Sequence, residues 1–434
     1  MSRLERNVND SSLSDILYGE IGIVLTPQSD DTATPFGGGS GARSNINRNK
    51  AEAAPAQRAE TSCSQTRYRF GTVTTEVHID DPEAARWLAE FLSPWLSTDA
   101  PEGTALKVRL TSAGERFSAL ARVEAERQLQ PLPCFRLDRK VVSCPGWIEP
   151  GGTIVAADRE FGCYYQVRRN QVDVISRPQD QPARIGLMRV VRELAMLRAL
   201  AQRETLDLHA AAFVFRGRAI LLAGDKNSGK TTLLAHALTS PHTALMANDR
   251  VIVDGRLEAH GVPTVVSVRA ETEQAFPVLG QKLPRRAVLL HKGEIGSADF
   301  TWDGIAQPLV LSLSLAQFAR QFNSRLEPAA RVGAILFPEI SPTASGWSLS
   351  PVDPTEAAGR LSGNIYGRAL AGRTGSIFER ITRALPGLCE GNSLVERLAA
   401  TLPMIRCLLG KRAYSESSDE WLKALPAGEG VAPR

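Results

Sequence analysis

The segment Gly224–Thr231, reading G-D-K-N-S-G-K-T, constrains this chain more than any other stretch. It satisfies the pattern G-x-x-x-x-G-K-[ST] at every fixed position. The apolar run Arg218–Ala223 stands directly before it, and Thr232-Leu-Leu-Ala-His-Ala-Leu238 continues as a helix after it. Between a strand and a helix, such glycines let the backbone curl so that successive N–H groups point inward at an anion. Lys230 is then placed to reach the β- and γ-phosphates of a nucleotide and the Thr231 hydroxyl to ligate Mg2+. The start of the helix adds the positive end of its dipole. Asp225, Lys226, Asn227 and Ser228 form the body of the loop and Thr232 follows it. With Gly224, Gly229, Lys230 and Thr231 these are the candidate nucleotide-binding residues. A glycine-rich turn with an exposed lysine would not need the flanking strand and helix.

About 20 positions further on, Leu245-Met-Ala-Asn-Asp249-Arg250-Val-Ile-Val253 reads as an apolar strand ending in a carboxylate. Asp249 is a candidate to stand near Mg2+ or an incoming nucleophile. A solvated aspartate in a strand-edge turn is the competing reading. Upstream, Leu206–Phe215 reads as one strand carrying His209, and Arg216-Gly217 links it to Arg218–Ala223 as a hairpin turn.

The run L-H-A-A-A, then G-R-A-I-L-L-A-G-D-K-N-S-G-K-T-T-L, then A-N-D-R-V, resembles the carboxy-terminal catalytic domain of HPr kinase/phosphorylase and its looser relatives. That group shares its core with ATP-dependent phosphoenolpyruvate carboxykinase. The resemblance is good over roughly residues 205–270 and weak over about 270–350. It implies an α/β P-loop kinase domain that uses ATP and Mg2+. His209 falls at the histidine beside the transferred phosphate, Gly224–Thr231 at the nucleotide loop, and Asp249 at the carboxylate that accepts the proton of a substrate serine hydroxyl. Catalytic roles are thereby implied for Asp249, Lys230 and His209, and metal binding for Thr231 and Asp249. Three positions depart from the family pattern. Asn248 replaces the first carboxylate of an acidic pair. Thr232 stands where an acidic residue follows the loop. Val266-Ser267-Val268-Arg269-Ala270 is the nearest counterpart of the stretch tied to the reverse, phosphorolytic reaction. These departures tell against dephosphorylation and against HPr itself as the acceptor.

The function so implied is transfer of the γ-phosphoryl group of ATP to a hydroxyl, on a serine of a protein or peptide, with a small molecule as the other acceptor class. A nucleotide-binding switch or scaffold, or a simple NTPase, are the alternatives, and Asn248 favours the switch. A homo-oligomer is a further expectation of the resemblance.

The rest of the chain adds organisation rather than chemistry. At 434 residues it has room for two to three domains of about 150. Hydrophobic residues make up 43%, enough for a sizeable core, and 51 Lys+Arg against 47 Asp+Glu leave only +4. That balance predicts neither a nucleic-acid partner nor a polybasic membrane anchor. The six cysteines include no CxxC pair, which fits free thiols in a reducing compartment. There is no signal core and no apolar run of the ~18 residues a spanning helix needs, so a cytoplasmic location is expected. Residues 1–60 read as a disordered leader, with a weak apolar island at Ile16–Leu25. Residues 61–180 read as an α+β module with strands at 68–70, 72–79, 106–110 and 164–169. Its helix runs over 81–92, capped by Asp80 or Asp81. Residues 181–434 read as the P-loop domain, opening with an amphipathic helix over 187–201 and ending in a mainly helical extension. Among the other histidines, His236 reads as packing, and His242, His260 and His291 lack ligand spacing. Arg285-Arg286, Arg325 and Arg331 are cations that could meet phosphate or solvent.

Overall fold

A computed structural model of the chain describes residues 63–426, apart from 72, 100–105, 138–139, 179, 202–203, 281–298, 303–304, 342, 367–374, 383–390 and 411. The leader, Arg285-Arg286 and His291 therefore lie outside the described residues. The chain divides into two compact units, Met1–Ser62 with Ala298–Gln307, and Cys63–Ser297 with Pro308–Arg434. The second unit carries every candidate residue and is a mixed α/β structure built on two large sheets.

The first sheet takes strands β1 (Ser64–Phe70), β2 (Val73–Ile79), β3 (Leu106–Ser112), β4 (Gln130–Leu137), β5 (Lys140–Ile148), β6 (Ile154–Asp158), β7 (Cys163–Arg168) and β8 (Gln171–Ser176). Their order is β1-β2-β3-β8-β7-β6-β5-β4, with β2–β3 and β3–β8 parallel. The β7–β8 hairpin turns at Arg169-Asn170. Helix α1 (Pro82–Leu92) forms because Asp81 accepts the Glu83 and Ala84 N–H groups at 2.8 and 3.2 Å, with Pro82 in the first turn. Such a cap is worth about 1 kcal/mol. Helix α2 (Gly114–Glu126), which sequence reading missed, buries Leu120 with Phe117 and Ala121 packed beside it.

Helix α3 (Gln181–Leu200) follows. Leu187, Val190, Val191, Leu194 and Leu197 make one buried face at helical spacing, packed on β1, β2, β3 and β8. Each such aliphatic side chain removed from water contributes roughly 1.5–3 kcal/mol.

The second sheet holds the candidate residues. Its strands are β9 (Leu206–Leu208), β10 (Ala210–Phe215), β11 (Arg218–Ala223), β12 (Thr243–Ala247), β13 (Val251–Val253) and β14 (Glu258–Gly261). Later come β15 (Val265–Arg269) and, beyond helix α4 (Lys230–Ala237) and helix α5 (Ala270–Ala275), β16 (Asp299–Trp302), which lies in the other unit. Strand β17 (Ile305–Ser314) pairs with β15 through Leu309–Ser314. Helix α6 (Leu315–Gln321), β18 (Arg325–Leu326), β19 (Ala329–Ile340), β20 (Trp347–Pro351), α7 (Pro354–Gly363), α8 (Glu379–Thr382), α9 (Gly391–Thr401), β21 (Met404–Leu409) and α10 (Ser418–Ala424) complete the chain.

The order in this sheet is β18-β12-β10-β11-β19-β14-β13-β9, with β21 on β19 and β20 on β21. Strand β11 runs parallel to β19, and β19 parallel to β21. The carboxyl ends of three parallel strands are thus neighbours beside residues 224–231, the edge where open α/β sheets hold ligands. Two expectations need correction. The stretch 206–215 is not one strand. It breaks at His209, whose N–H donates to Asn364 O at 2.8 Å instead of joining a ladder. The carboxyl-terminal region is helical only in part, because β21 is inserted beside β19 in the centre of the sheet.

Candidate functional site

Strand β11 ends at Ala223 and α4 begins at Lys230, so residues 224–229 make the whole connection. The turn closes through Ser228 N donating to Asp225 O at 3.1 Å, with Asn227 at φ 71°. Gly229 caps the helix at φ 96°, a left-handed conformation that costs an L side chain roughly 1–2 kcal/mol. A Cβ on Gly224 would stand 2.7 Å from the buried Ser228 hydroxyl, so that position also admits only glycine without a shift. Asp225, Lys226 and Asn227 are exposed at the tip. Lys230 is buried, and its ammonium donates to Gly224 O at 2.6 Å and Asp225 O at 2.9 Å. The cation therefore sits inside the curl of its own loop.

Thr231, in the first turn of α4, donates its hydroxyl to Asn248 Oδ1 at 3.1 Å. That bond joins the helix start to the turn after β12. The next residue, Asp249, is 39% exposed and places Oδ1 3.3 Å from His209 Nε2, with His209 15% exposed. Sequence positions 209, 231, 248 and 249 thus converge, and Lys230 is the neighbour of Thr231. Thr232 faces away from this group and meets Thr272 Oγ1 at 3.0 Å, on the helix that follows β15. Residues 266–269, the counterpart of the phosphorolytic stretch, lie within β15.

Several contributors were invisible to sequence reading. Asn364 and Tyr366, just after α7, line up against β9, with Tyr366 N donating to Asp207 O at 2.7 Å and an isolated bridge between Leu208 and Ile365. They lie some 155 positions from His209, and nothing local marks them. Asp207 and Arg250 form a buried ion pair beneath the His209–Asp249 contact. The proximity of L-D-L-H to N-D-R-V in the motif was the available signal.

The other flagged cations and histidines lie elsewhere. Arg216 and Arg325, with His242, Asp419 and Lys423, line a cavity of about 630 Å³ at the turn end of the β10–β11 hairpin. The register Ala210↔Ala223 to Phe215↔Arg218 puts that cavity and the 224–231 loop at opposite ends of the hairpin, roughly 20 Å apart at ~3.3 Å per residue. Arg331 sits in β19 opposite Glu258. His236 is buried against Trp421, Tyr414 and Phe276, as packing. His260 has donor atoms of Asp254 and Glu258 around it, all within 4.8 Å, a grouping its spacing did not indicate. Asp254 Oδ1 already accepts the Arg256 and Glu258 N–H groups there. Cys63, Cys134, Cys144, Cys163 and Cys407 are free thiols. Among the described residues no helix is long and apolar enough to cross a membrane.

Searches against protein-family models and against curated proteins find no match to this chain.

Proposed function

We propose that this protein is an ATP-dependent kinase of HPr-kinase type, transferring the γ-phosphoryl group to a hydroxyl, foremost a serine of a protein or peptide. The observation that carries the reading is the pair of contacts Thr231–Asn248 and His209–Asp249, which gather a helix start, a carboxylate and an imidazole at one loop. In this reading Lys230 exchanges the carbonyls of Gly224 and Asp225 for phosphate oxygens, and the N–H groups of 224–231 face the same anion. The Thr231 hydroxyl, the Asn248 amide oxygen and the Asp249 carboxylate form an all-oxygen donor set, which suits a hard cation such as Mg2+. Mg2+ would neutralise charge building on the phosphate oxygens. Asp249, the exposed member of its pair, accepts the proton of the acceptor hydroxyl, and His209 orients that carboxylate. Phosphoryl transfer asks for positioning and charge neutralisation more than for covalent help, and this group of side chains supplies both.

A nucleotide-binding switch without transfer is the second reading. Asn248 favours it, since a neutral amide stands where a second carboxylate would strengthen metal and base, and it engages the Thr231 hydroxyl itself. Incubation with labelled ATP and candidate acceptors separates the readings. A phosphorylated acceptor supports the kinase, free phosphate alone an NTPase, and binding without turnover the switch. Lys230→Ala should abolish nucleotide binding and turnover; a variant that bound and used ATP like the natural protein would end both readings.

A further inference from the structure

Asp249 and Arg250 are adjacent in the chain yet live in different surroundings. Asp249 is 39% exposed beside His209, whereas the Arg250 side chain is 3% exposed. Arg250 Nε donates to Asp207 Oδ1 at 2.9 Å and to Oδ2 at 3.1 Å, and its Nη2 also donates to Oδ2. The guanidinium carbon lies over the Tyr366 ring, 4.0 Å from its centre, with Glu193 Oε2 4.0 Å from Nη1. Burial pushes this guanidinium down, but the charge and hydrogen bonds of Asp207, with Tyr366 and Glu193 beyond, outweigh it and raise its pKa. The neighbouring Arg192 has no such carboxylate fork. It donates to Pro263 O at 3.3 Å, and burial together with repulsion from Arg250 lowers it to about 10.

The location of this pair gives it its meaning. Strand β9 stops at Leu208 and β13 starts at Val251, with Leu208 opposite Val251 and Asp207 opposite Ile252. His209 and Asp249 therefore stand just past the end of the ladder. The Arg250–Asp207 fork ties the two segments together at that end. Tyr366 closes it from above, held by its own N–H on Asp207 O, and Asn364 O takes the His209 N–H.

We propose that the buried Arg250–Asp207 pair, covered by Tyr366, positions His209 and Asp249 against each other. The inference deepens the kinase reading, on which the role of Asp249 rests, and makes Arg250, Asp207 and Tyr366 positioning residues that never touch substrate. Lysine keeps the charge of arginine but offers a point donor instead of a planar fork, so Arg250→Lys isolates the geometry.

The test uses the full chain. With only six histidines in the sequence, labelling histidine with nitrogen-15 gives resolvable imidazole signals. In Arg250→Lys with a natural circular dichroism spectrum, the His209 signals should move while those of His236 and His242 stay. The kcat should fall on the order of a hundredfold, as for a small misplacement of a reacting group, with the KM for ATP held within about twofold. In a His209→Gln background the same substitution should cost less than about threefold, since the pair it orients is already broken. If Arg250→Lys fails to fold, Tyr366→Leu, which keeps both charges, is carried through the same series. Unmoved His209 signals, or an equal loss of kcat in both backgrounds, would overturn the proposal. Moved signals in a protein that transfers no phosphate would overturn the kinase reading alone.

Discussion

Helix α3 feeds two buried arginine clusters, and the two are built differently. Arg189 lies between the rings of Phe135 and Phe161, 4.3 and 4.9 Å from their centres. Its nearest carboxylate oxygens, on Asp158 and Glu160, are 3.8 and 3.6 Å away, and its Nη1 has no hydrogen-bond partner. Asp158 is engaged elsewhere, accepting the Tyr165 hydroxyl at 2.6 Å and the Phe161 N–H at 3.2 Å. Arg250, reached by Glu193 one turn further along α3, instead has the Asp207 carboxylate to itself in a fork. The first arginine is a flat packing piece between aromatic faces. The second is an aligned connector, and only the second lies beneath His209 and Asp249.

Removing partners tests that contrast. Asp207→Ala strands the Arg250 charge in the interior and should destabilise the protein by about 3–5 kcal/mol, read from the midpoint of urea unfolding. Arg189→Met keeps the apolar sandwich and leaves Asp158 with both of its donors. It leaves Asp158 without its cation but still hydrogen-bonded, so it should cost less than Asp207→Ala, which breaks a charge-assisted fork. A reversal of that order would break the comparison.

A neutral buried group sharpens it. His236 Nε2 faces Glu416 O at 3.0 Å, and Nδ1 accepts the Trp421 indole N–H at 3.2 Å. Only the neutral, Nε2-protonated ring satisfies both, and burial lowers its pKa from the usual 6.5. The folded state thus binds fewer protons than the unfolded chain. The contribution is fully present above about pH 6.5 and lost as pH falls through the lowered value. Melting temperatures should decline over that range, and by less in His236→Leu. This is the smallest effect of the three, and a slope unchanged in the variant would remove His236 as its source.

What the sequence disclosed follows the range of the physics involved. The glycine-rich turn, the Asp81 cap, the α3 stripe and the Arg216-Gly217 hairpin are local, and each was visible in a few neighbouring residues. The break at His209 was not, because an acceptor on Asn364, far along the chain, replaces a ladder bond. Strand β21 was hidden for a related reason. Met404–Leu409 is a short apolar run without helical or alternating period, and only its place between β19 and β20 makes it a strand. Motif resemblance marked His209 and Asp249 as site residues, whereas their 3.3 Å contact, the pair beneath it and Tyr366 above it come from the fold.

Because α3 buries its apolar stripe on the first sheet and extends Glu193 toward Arg250 of the second, neither layer ends where the other begins. The Trp95 indole N–H adds a rivet, donating to Met246 O at 2.6 Å. Cys63–Arg177 and the glycine-rich turn thereby belong to one compact unit. A lesion in the amino-terminal layer should then reach the glycine-rich turn as well, though less than a lesion beside it.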